Sequence, residues 1–168
     1  IVLAGCDGGL IEYNVMKNCP KTLPESEACD GIWPWCSDNT LVQFNVVSDH
    51  KSIVDGYAYD SDWGCRNSVF QYNLSYNNDG GFMLGIGTNG WPEDWSVNGN
   101  IETKVRYNVS INDGLRNYLT SASHKDTYFS PVMHFTGYTQ NTLVENNLFY
   151  LFPKPEPQIC LLYTSDAA

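Results

Sequence analysis

Positive charge is scarce in this sequence: nine Lys and Arg residues stand against 19 Asp and Glu residues, which gives a formal net charge of −10. A surface this acidic repels phosphate backbones and anionic lipid headgroups, so we expect neither nucleic acid nor a membrane as a partner. No apolar run approaches the roughly 18–20 residues that a membrane-spanning helix needs. With 168 residues, 42% of them hydrophobic, the chain is long enough for one domain with a core.

Several signatures of catalysis and metal binding are missing as well. The six cysteines show no Cys-x-x-Cys spacing, which argues against a zinc ribbon and against a dithiol redox motif. There is no Gly-rich phosphate loop and no serine-hydrolase elbow. No stretch combines helical periodicity with capping residues, whereas 14 glycines and many Asn residues favour turns and strands.

A short pattern recurs five times: an apolar residue, a polar residue, an aromatic residue in most copies, Asn, and another apolar residue. The segments around each copy alternate with period 2, which is typical of short strands. The Asn residues lie 31, 28, 35 and 39 positions apart. This spacing predicts a solenoid whose coils carry loops of unequal length and stack parallel strands about 4.8 Å apart. The five residues are Asn14, Asn45, Asn73, Asn108 and Asn147.

The recurrent Asn is expected to form a ladder, in which each amide bonds to backbone groups at a turn and to the Asn of the next coil. Cys6, Cys36 and Cys65 lie eight or nine residues before three of these Asn residues. We therefore predict that the three cysteines stack as free thiols. A disulfide between Cys19 and Cys29, or between Cys36 and Cys65, is the alternative for a secreted protein.

Three segments resemble a known family. They are Asn-Thr-Leu-Val-Gln-Phe-Asn at 39–45, the segment 67–84, and Asn-Thr-Leu-Val-Glu-Asn-Asn-Leu-Phe-Tyr at 141–150. They look like the repeats of right-handed parallel β-helix proteins, the pectin-lyase-like superfamily, and the resemblance covers roughly residues 5–152. It implies an all-β fold, a right-handed single-stranded parallel β-helix of about five to six coils. It implies a carbohydrate-active protein without choosing among lyases, glycosidases, epimerases, esterases and adhesins.

The chain divides into β-helix coils over residues 1–152 and a Pro-rich exit with a non-repeat tail over 153–168. Neither end offers the capping unit that a solenoid needs, and the last eight residues resemble a cloning or sequencing scar. We therefore expect an internal fragment, truncated at both ends, of a longer bacterial carbohydrate-active protein. We expect that protein to be secreted, periplasmic or on the cell surface. Exposed parallel edges favour end-to-end self-association.

The main chemical signal is a pair of carboxylates, Asp60 and Asp62. In a strand these residues share a face with Cα atoms about 6.5–7 Å apart, close to the roughly 6.5–9.5 Å carboxyl separation of inverting glycosidases. Asp30 belongs to the preceding coil and is expected to stack near Asp60. Because three neighbouring carboxylates cannot all ionise cheaply, at least one pKa should rise, as a general acid requires. The predicted catalytic residues are Asp60, Asp62 and Asp30.

The faces of that strand are predicted from the coil that follows. We align Phe82 and Leu84 with Tyr59 and Ser61, which places those side chains inside the solenoid. The two carboxylates then point outward, where a substrate could reach them.

A calcium ion is the alternative means of tolerating such a cluster, because Ca²⁺ takes oxygen ligands. Its predicted ligands are Asp55, Asp60 and Asp62, and no other cofactor is expected. Turn-capping or solvated Asp residues are the third interpretation.

Aromatic and polar residues around the Asp cluster are predicted to bind a glycan. Trp rings offer large apolar faces on which sugar rings can stack, and the insertion 87–103 can overhang the same face. The alternatives are that the Trp rings only cover the solenoid and that the single His of this set is structural. The predicted substrate-binding residues are Trp33, Trp35, Trp63, Trp91, Trp95, Glu93, Asp94 and His134.

These patterns favour a glycoside hydrolase that acts on a polysaccharide or oligosaccharide through paired Asp residues. The first alternative is a Ca²⁺-dependent polysaccharide lyase or epimerase, although the acidic net charge argues mildly against an anionic substrate. The second alternative is a non-catalytic glycan-binding or adhesin solenoid, in which the Trp residues bind sugar without turnover.

Overall fold

The structure is a computed structural model, and it describes residues 1–19, 28–52, 54–87, 99–114, 116 and 131–152. The regular structure in these ranges is made of short strands, and every strand pairing is parallel. Within these ranges there is no helix with the length and apolar character needed to cross a bilayer.

Two five-stranded sheets form the regular part of the fold. The first sheet contains, in spatial order, β18 (Leu143–Glu145), β14 (Lys104–Arg106), β10 (Val69–Gln71), β6 (Leu41–Gln43) and β2 (Leu10–Glu12). The second sheet contains β19 (Leu148–Tyr150), β15 (Val109–Ile111), β11 (Leu74–Tyr76), β7 (Val46–Ser48) and β3 (Val15–Lys17). Neighbouring strands come from successive copies of the sequence repeat, so residues about thirty apart in the chain lie side by side.

A third sheet is formed by β9 (Tyr57–Ser61), β12 (Gly81–Ile86) and β16 (Met133–Thr136), with β12 in the centre. A single bridge, between Ile32 and Tyr59, extends it toward the preceding coil. Three small two-stranded sheets complete the described part. They pair β1 (Val2–Ala4) with β5 (Trp33–Trp35), β4 (Ala28–Cys29) with β8 (Val54–Asp55), and β13 (Asn100–Ile101) with β17 (Thr139–Gln140).

The predicted all-β fold with stacked parallel strands is confirmed in that form. The right-handed sense of the coil and the number of coils stay predictions. The division at residue 152 also stays a prediction, because residues 153–168 lie outside the described ranges.

The interior of the first sheet is a column of apolar side chains. Ile11, Val42, Phe70 and Val105 are the middle residues of four neighbouring strands, and they lie in register and are buried. Alternate residues of a strand face opposite sides, so the residues that flank them point outward. Burial of each such side chain stabilises the fold by about 1.5–3 kcal/mol.

The Asn residues form a ladder where the chain turns from the first sheet to the second. Asn45 donates to Oδ1 of Asn73 from its backbone N at 3.0 Å and from Nδ2 at 3.1 Å. The same two bonds join Asn14 to Asn45, Asn73 to Asn108, and Asn108 to Asn147. The predicted ladder is confirmed, and it satisfies backbone donors that would otherwise be buried without partners.

The residue before each ladder Asn has a left-handed backbone, with φ between 54° and 57°. Four of these residues are aromatic, and their rings stack on the outside of the corner with centroids 5.3–5.4 Å apart. Left-handed backbone at a non-glycine residue costs roughly 1–3 kcal/mol, which stacking partly offsets. The four rings are Tyr13, Phe44, Tyr72 and Tyr107, and Asn146 holds the fifth position.

The predicted cysteine column is wrong at one position. The bridges from Asp38 to its two neighbouring coils place Ser37, rather than Cys36, level with Cys6 and Cys65. The reason is one extra residue, since Cys36 lies nine residues before its ladder Asn and the other two cysteines lie eight before theirs. Cys36 is exposed, and only Cys65 of the three is fully buried.

The described cysteines Cys6, Cys19, Cys29, Cys36 and Cys65 are free thiols. The two disulfides considered from the sequence are therefore not formed in this structure.

Candidate functional site

The register of the third sheet differs by one residue from the predicted alignment. Asp60 lies opposite Leu84, and Ser61 lies opposite Gly85. The predicted match of Phe82 with Tyr59 and of Leu84 with Ser61 is therefore wrong.

The pairing of β9 with β12 has the same offset at Gly81 as at Gly85, so the predicted alignment is wrong along the whole strand. The backbone is irregular at the start of β12: Gly81 has φ of 133°, and the N–H groups of Phe82 and Met83 both donate to the carbonyl of Val132. Phe82 and Met83 are consecutive residues and both lie in the core, so an alternation counted from Phe82 misplaces Leu84. Phe82 still reaches the core, where its ring packs edge-on against Tyr59.

The inner face of β9 is nevertheless as predicted. The hydroxyl of Tyr59 lies 3.0 Å from the carbonyl oxygens of Asn45 and Leu74, and the hydroxyl of Ser61 lies 3.1 Å from that of Thr103. These bonds are in the interior. Because side chains alternate along a strand, Asp60 belongs to the opposite, outer face.

A cavity of about 190 Å³ lies against this outer face. Four carboxyl groups line it, together with two indole rings, one thiol and two aliphatic side chains. The carboxyl groups belong to Asp30, Asp55, Asp60 and Asp62, and the other lining residues are Cys29, Trp33, Trp63, Leu84 and Ile86.

Strand register explains why these side chains meet. The backbone N–H of Asp60 donates to the carbonyl of Ile32 at 3.1 Å, which sets Trp33 beside Asp60 in the preceding coil. Leu84 holds the same position in the following coil, and His134 in the coil after that. The outer face therefore carries one column of an indole, a carboxyl, an aliphatic group and an imidazole.

Asp30 lies in the coil before Asp60, at the level of Tyr57 instead of directly beneath Asp60. Its Oδ1 accepts the backbone N–H of Tyr57 at 2.6 Å, and the residue is buried. Burial and the charge of Asp55 raise the pKa of Asp30 well above its usual range, while the Tyr57 N–H and the Arg116 guanidinium act in the opposite direction.

Asp60 has the environment that most favours a protonated carboxyl. It is 3% exposed, and its Oδ1 is buried without a hydrogen-bond partner in the described structure. Burial raises its pKa well above the usual range, and the charges of Asp30, Asp62 and Asp55 raise it further. Each of these influences favours the protonated form of the Asp60 carboxyl.

Asp62 is the partly exposed neighbour. Burial raises its pKa to about 6, and the charge of Asp55 adds to this, while the backbone N–H of Trp63 donates to its Oδ1 at 2.7 Å and lowers it. Burial likewise raises the pKa of Asp55, and Arg116 lowers it. A carboxyl with a pKa well above its usual range thus lies two residues from one with a pKa of about 6, an arrangement that suits general acid–base chemistry.

The structure brings together two of the predicted Trp residues at the cavity. Trp33 and Trp63 line it, whereas Trp35 lies two residues after Trp33 on β5 and is 44% exposed. His134 is half-buried and lies beyond Leu84, away from the cavity lining. Trp91, Trp95, Glu93 and Asp94 fall in 88–98, outside the described residues.

The predicted calcium ligands are not arranged as a metal site. Asp55, Asp60 and Asp62 line the same cavity, yet across the described ranges no three His, Cys, Asp or Glu side chains are placed to hold one ion. The calcium alternative stays a prediction without a convergent set of ligands.

Sequence reasoning missed Leu84 and Ile86 as cavity residues, and it placed Asp55 only as a metal ligand. The correct register of β12 would have identified the two aliphatic residues, because they occupy the positions of Asp60 and Asp62 in the next coil. No pattern in the sequence identified Arg116.

Comparison with known proteins gives one curated relative and one solved protein. No family model matches the sequence. A lacto-N-biosidase from Bifidobacterium longum subsp. longum is 32% identical over 127 residues. The alignment covers 67% of this chain and 7% of that protein, so the chain spans less than a tenth of the relative's length.

The solved protein is the GH136 lacto-N-biosidase from Eubacterium ramulus. Its selenomethionine derivative aligns with a TM-score of 0.51 at 22% identity. The alignment covers 90% of this chain and 26% of the solved chain. Its native form aligns with a TM-score of 0.42 at 20% identity. At this identity the likeness shows a shared fold, and the chain spans about a quarter of that structure.

The resemblance to the pectin-lyase-like superfamily is corrected by this comparison. The structural neighbour is a GH136 lacto-N-biosidase, and nothing specific to pectin-lyase-like proteins accompanies the stacked parallel sheets. The physical reason for the wrong assignment is that period-2 strands and an Asn ladder depend only on the stacking of coils. Any protein with such coils can carry them, so they do not identify a superfamily.

Proposed function

We propose that this chain is part of a glycoside hydrolase that cleaves an oligosaccharide at the cavity beside Asp60 and Asp62. The observation that carries the proposal is the meeting of four carboxyl groups and two indole rings at one cavity. The relatedness to a lacto-N-biosidase over 127 residues supports the same class of reaction. A right-handed β-helical coil and a location outside the cytoplasm, both expected from the sequence, belong to this proposal.

Asp60 acts as the general acid in this proposal. Its environment favours the protonated form, and its Oδ1 lacks a partner in the described structure. A glycosidic oxygen placed in the cavity would accept the proton as the bond to the sugar breaks. Asp30 helps to keep the proton on Asp60, because its charge raises the pKa of Asp60.

Asp62 acts as the base. It is more accessible than Asp60, and its pKa of about 6 leaves it ionised at neutral pH. As a carboxylate it can take a proton from the attacking water. Cα atoms about 6.5–7 Å apart along one strand face leave room for that water, which favours inversion at the anomeric carbon.

Trp33 and Trp63 bind the sugar ring in this proposal, since both line the cavity beside the carboxyl groups. Leu84 and Ile86 form an apolar wall that keeps water from the acid. Trp35 is exposed next to Trp33 and can extend the site by one sugar. The predicted roles of residues 91–95 stay predictions.

The test is hydrolysis of an aryl lacto-N-bioside and of a panel of other aryl glycosides and oligosaccharides, followed by chromogen release and by reducing ends. Asp60→Asn and Asp62→Asn should each lower kcat/KM by about 10²–10⁴-fold. Asp38→Asn is the matched control, because the Asp38 side chain is 44% exposed, lies 3.8 Å from Arg66 and does not line the cavity. Asp38→Asn should retain activity.

Full activity in both Asp60→Asn and Asp62→Asn would contradict the proposal. Sugar binding that is lost in Trp33→Ala and Trp63→Ala, without any product from the unmodified chain, would instead support the non-catalytic glycan-binding alternative. Near-ultraviolet circular dichroism of each variant establishes that the fold is retained.

A further inference from the structure

One buried cation approaches the carboxyl cluster from a distant coil. Arg116 follows β15 and is 3% exposed. Its Nη2 donates to the backbone carbonyl of Asp55 at 2.5 Å, across 61 positions of sequence. A buried guanidinium is costly unless opposite charge and hydrogen bonds compensate it, so its position near carboxylates has a physical cause.

Glycine in the intervening coil makes this reach feasible. The coil between Arg116 and Asp55 passes through Gly80, whose N–H donates to the carbonyl of Gly56 at 2.8 Å. A Cβ at position 80 would collide with the carbonyl oxygen of Asp55, the atom that Arg116 binds. A Cβ at Gly56 would lie 3.2 Å from Nη2 of Arg116. Two glycines therefore clear the space through which the guanidinium reaches the turn.

The turn at Asp55 and Gly56, to which Arg116 binds, determines the position of one wall of the cavity. Asp55 has a φ of 55° and Gly56 a φ of 77°, so the chain bends here between β8 and β9. Asp55 lines the cavity on one side of this turn, and the strand that carries Asp60 begins on the other side. A donor bound to the carbonyl of Asp55 therefore fixes the position of Asp55 and the start of the strand that carries Asp60.

The charge of Arg116 also acts unequally on the cluster. It lowers the pKa of Asp55 and of Asp30, whereas the pKa values of Asp60 and Asp62 are shifted by burial, by other carboxylates and by the Trp63 N–H. The titratable groups around Arg116 and the turn are Cys29, Asp30, Asp55, Tyr57, Asp60 and Asp62, with Asp79 on the intervening coil, its partner Lys51 on the coil of Asp55, and Asp113 on the coil of Arg116.

We propose that Arg116 is a positioning residue of this site, which holds the Asp55–Gly56 turn against the cavity and supplies the positive charge that offsets the carboxylates of Asp30 and Asp55. The consequence is a fixed division of charge within the cluster. Asp30 and Asp55 share the compensation by Arg116, and the proton stays on Asp60. The catalytic value of this division rests on the proposed function, whereas the division itself does not.

The experiment follows the titration of Asp side chains by ¹³C NMR in protein labelled at the Asp carboxyl carbon. The variants are Arg116→Gln and Arg116→Lys, and the matched control is Arg106→Gln, which removes a cation bound to Gln71 on the outer face of the first sheet. Asp30→Asn and Asp55→Asn assign the two resonances.

In Arg116→Gln the titration midpoints of Asp30 and Asp55 should rise by about 1 pH unit or more, since an opposite charge at short range typically shifts a carboxyl by about 1–3 pH units. Arg116→Lys should restore most of this change, and Arg106→Gln should cause none. Unchanged midpoints in a folded Arg116→Gln would overturn the proposal, as would a failure of Lys to restore them in a folded protein.

A loss of folding in Arg116→Gln is itself informative. If the residue compensates Asp30 and Asp55, then adding Asp30→Asn and Asp55→Asn to Arg116→Gln removes the uncompensated charges and should restore folding at pH 7.5. Continued failure to fold would contradict the proposal. None of these readouts needs enzymatic activity, so shifted midpoints in a chain that hydrolyses no glycoside would refute the proposed function alone.

Discussion

The corner between the two five-stranded sheets and the outer face of the third sheet follow opposite rules. At the corner one residue type repeats through five coils, and each Asn bonds to the next through the same pair of hydrogen bonds. On the outer face the residue type changes in every coil, from Trp33 to Asp60 to Leu84 to His134.

The two regions also differ in how completely buried polar groups are satisfied. Asn73 is buried, and its side chain accepts two hydrogen bonds and donates to the carbonyl of Val42. Asp60 is equally buried, yet its Oδ1 has no partner in the described structure, and three neighbouring carboxylates oppose its ionisation. The residue type that repeats from coil to coil therefore stabilises the fold, and the candidate site lies where the residue type changes from coil to coil.

The largest expected effect comes from breaking the ladder at its centre. Asn73→Ala leaves the backbone N of Asn45 without its acceptor and the carbonyl of Val42 without its side-chain donor, and Nδ2 of Asn45 loses one of its three acceptors. Unsatisfied buried groups cost about 1–3 kcal/mol each, and we expect a loss of about 3–5 kcal/mol in the free energy of unfolding, measured in urea. Gln71→Ala, at a partly exposed outer position, is the control and should lose less than about 1 kcal/mol.

A second ladder tests what a carboxylate does in place of an amide. Asn78 donates to Oδ1 of Asp113 from its backbone N at 2.9 Å and from Nδ2 at 2.8 Å, and the hydroxyls of Ser75 and Ser110 donate to Oδ2. Burial raises the pKa of Asp113 to about 6 against these four donors. The folded state therefore holds this proton more tightly than the unfolded state, and the stability it confers below pH 4 is lost as the pH rises through 6.

Asp113→Asn should remove that pH dependence, because the Asn amide keeps both bonds from Asn78 and its Nδ2 can donate to the serine hydroxyls. We expect a gain of up to about 3 kcal/mol at pH 7.5 and little change at pH 4, measured by urea unfolding at both pH values. An equal loss of stability at both pH values would show that the carboxylate geometry, and not its charge, determines stability at this position.

Extending the aliphatic part of the outer face should strengthen the fold at the site. Asp60→Leu replaces a buried carboxyl without a full set of partners by the residue type found opposite it in the next coil, Leu84. A buried polar group without a partner costs about 1–3 kcal/mol, and a packed apolar group does not carry this cost. We expect a gain near 1–2 kcal/mol in thermal or urea unfolding at pH 7.5, with loss of hydrolysis. Destabilisation at that pH would indicate that Asp60 has a structural partner.

The smallest effect is expected at the aromatic stack. Phe44→Asn loses two ring contacts, each worth about 0.5–1.5 kcal/mol, but Asn tolerates the left-handed backbone and already holds this position at Asn146. The free energy of unfolding should change by less than about 1 kcal/mol. Phe44→Ala lacks that compensation and should lose more than Phe44→Asn. The reverse order would contradict the account of this corner.

The sequence was most informative where residue type and spacing repeat. The Asn ladder was predictable because each copy of the pattern places Asn at the same point of an alternating segment, and only stacking gives that amide a use. The cluster at Asp60 and Asp62 was visible for the same reason, since period 2 sets two carboxylates on one face.

Prediction was poorest where the chain departs from its period. The irregular backbone at Gly81 places two consecutive side chains, Phe82 and Met83, in the core, and the extra residue at Cys36 places Ser37 in the stack. Neither irregularity can be recognised from the composition or from the hydrophobic alternation of the sequence. Arg116 could not be found, because its contact with Asp55 depends on the glycine at position 80 of a third coil.

The most direct test of the account is the titration of Asp60 and Asp62 in the unmodified chain, followed by ¹³C NMR of the carboxyl carbons. We predict that Asp62 titrates near pH 6 and that Asp60 titrates well above the usual range of an Asp side chain. A value near 4 for both groups would mean that the cavity is well solvated and holds no proton to give to a leaving sugar, and it would contradict the proposed site.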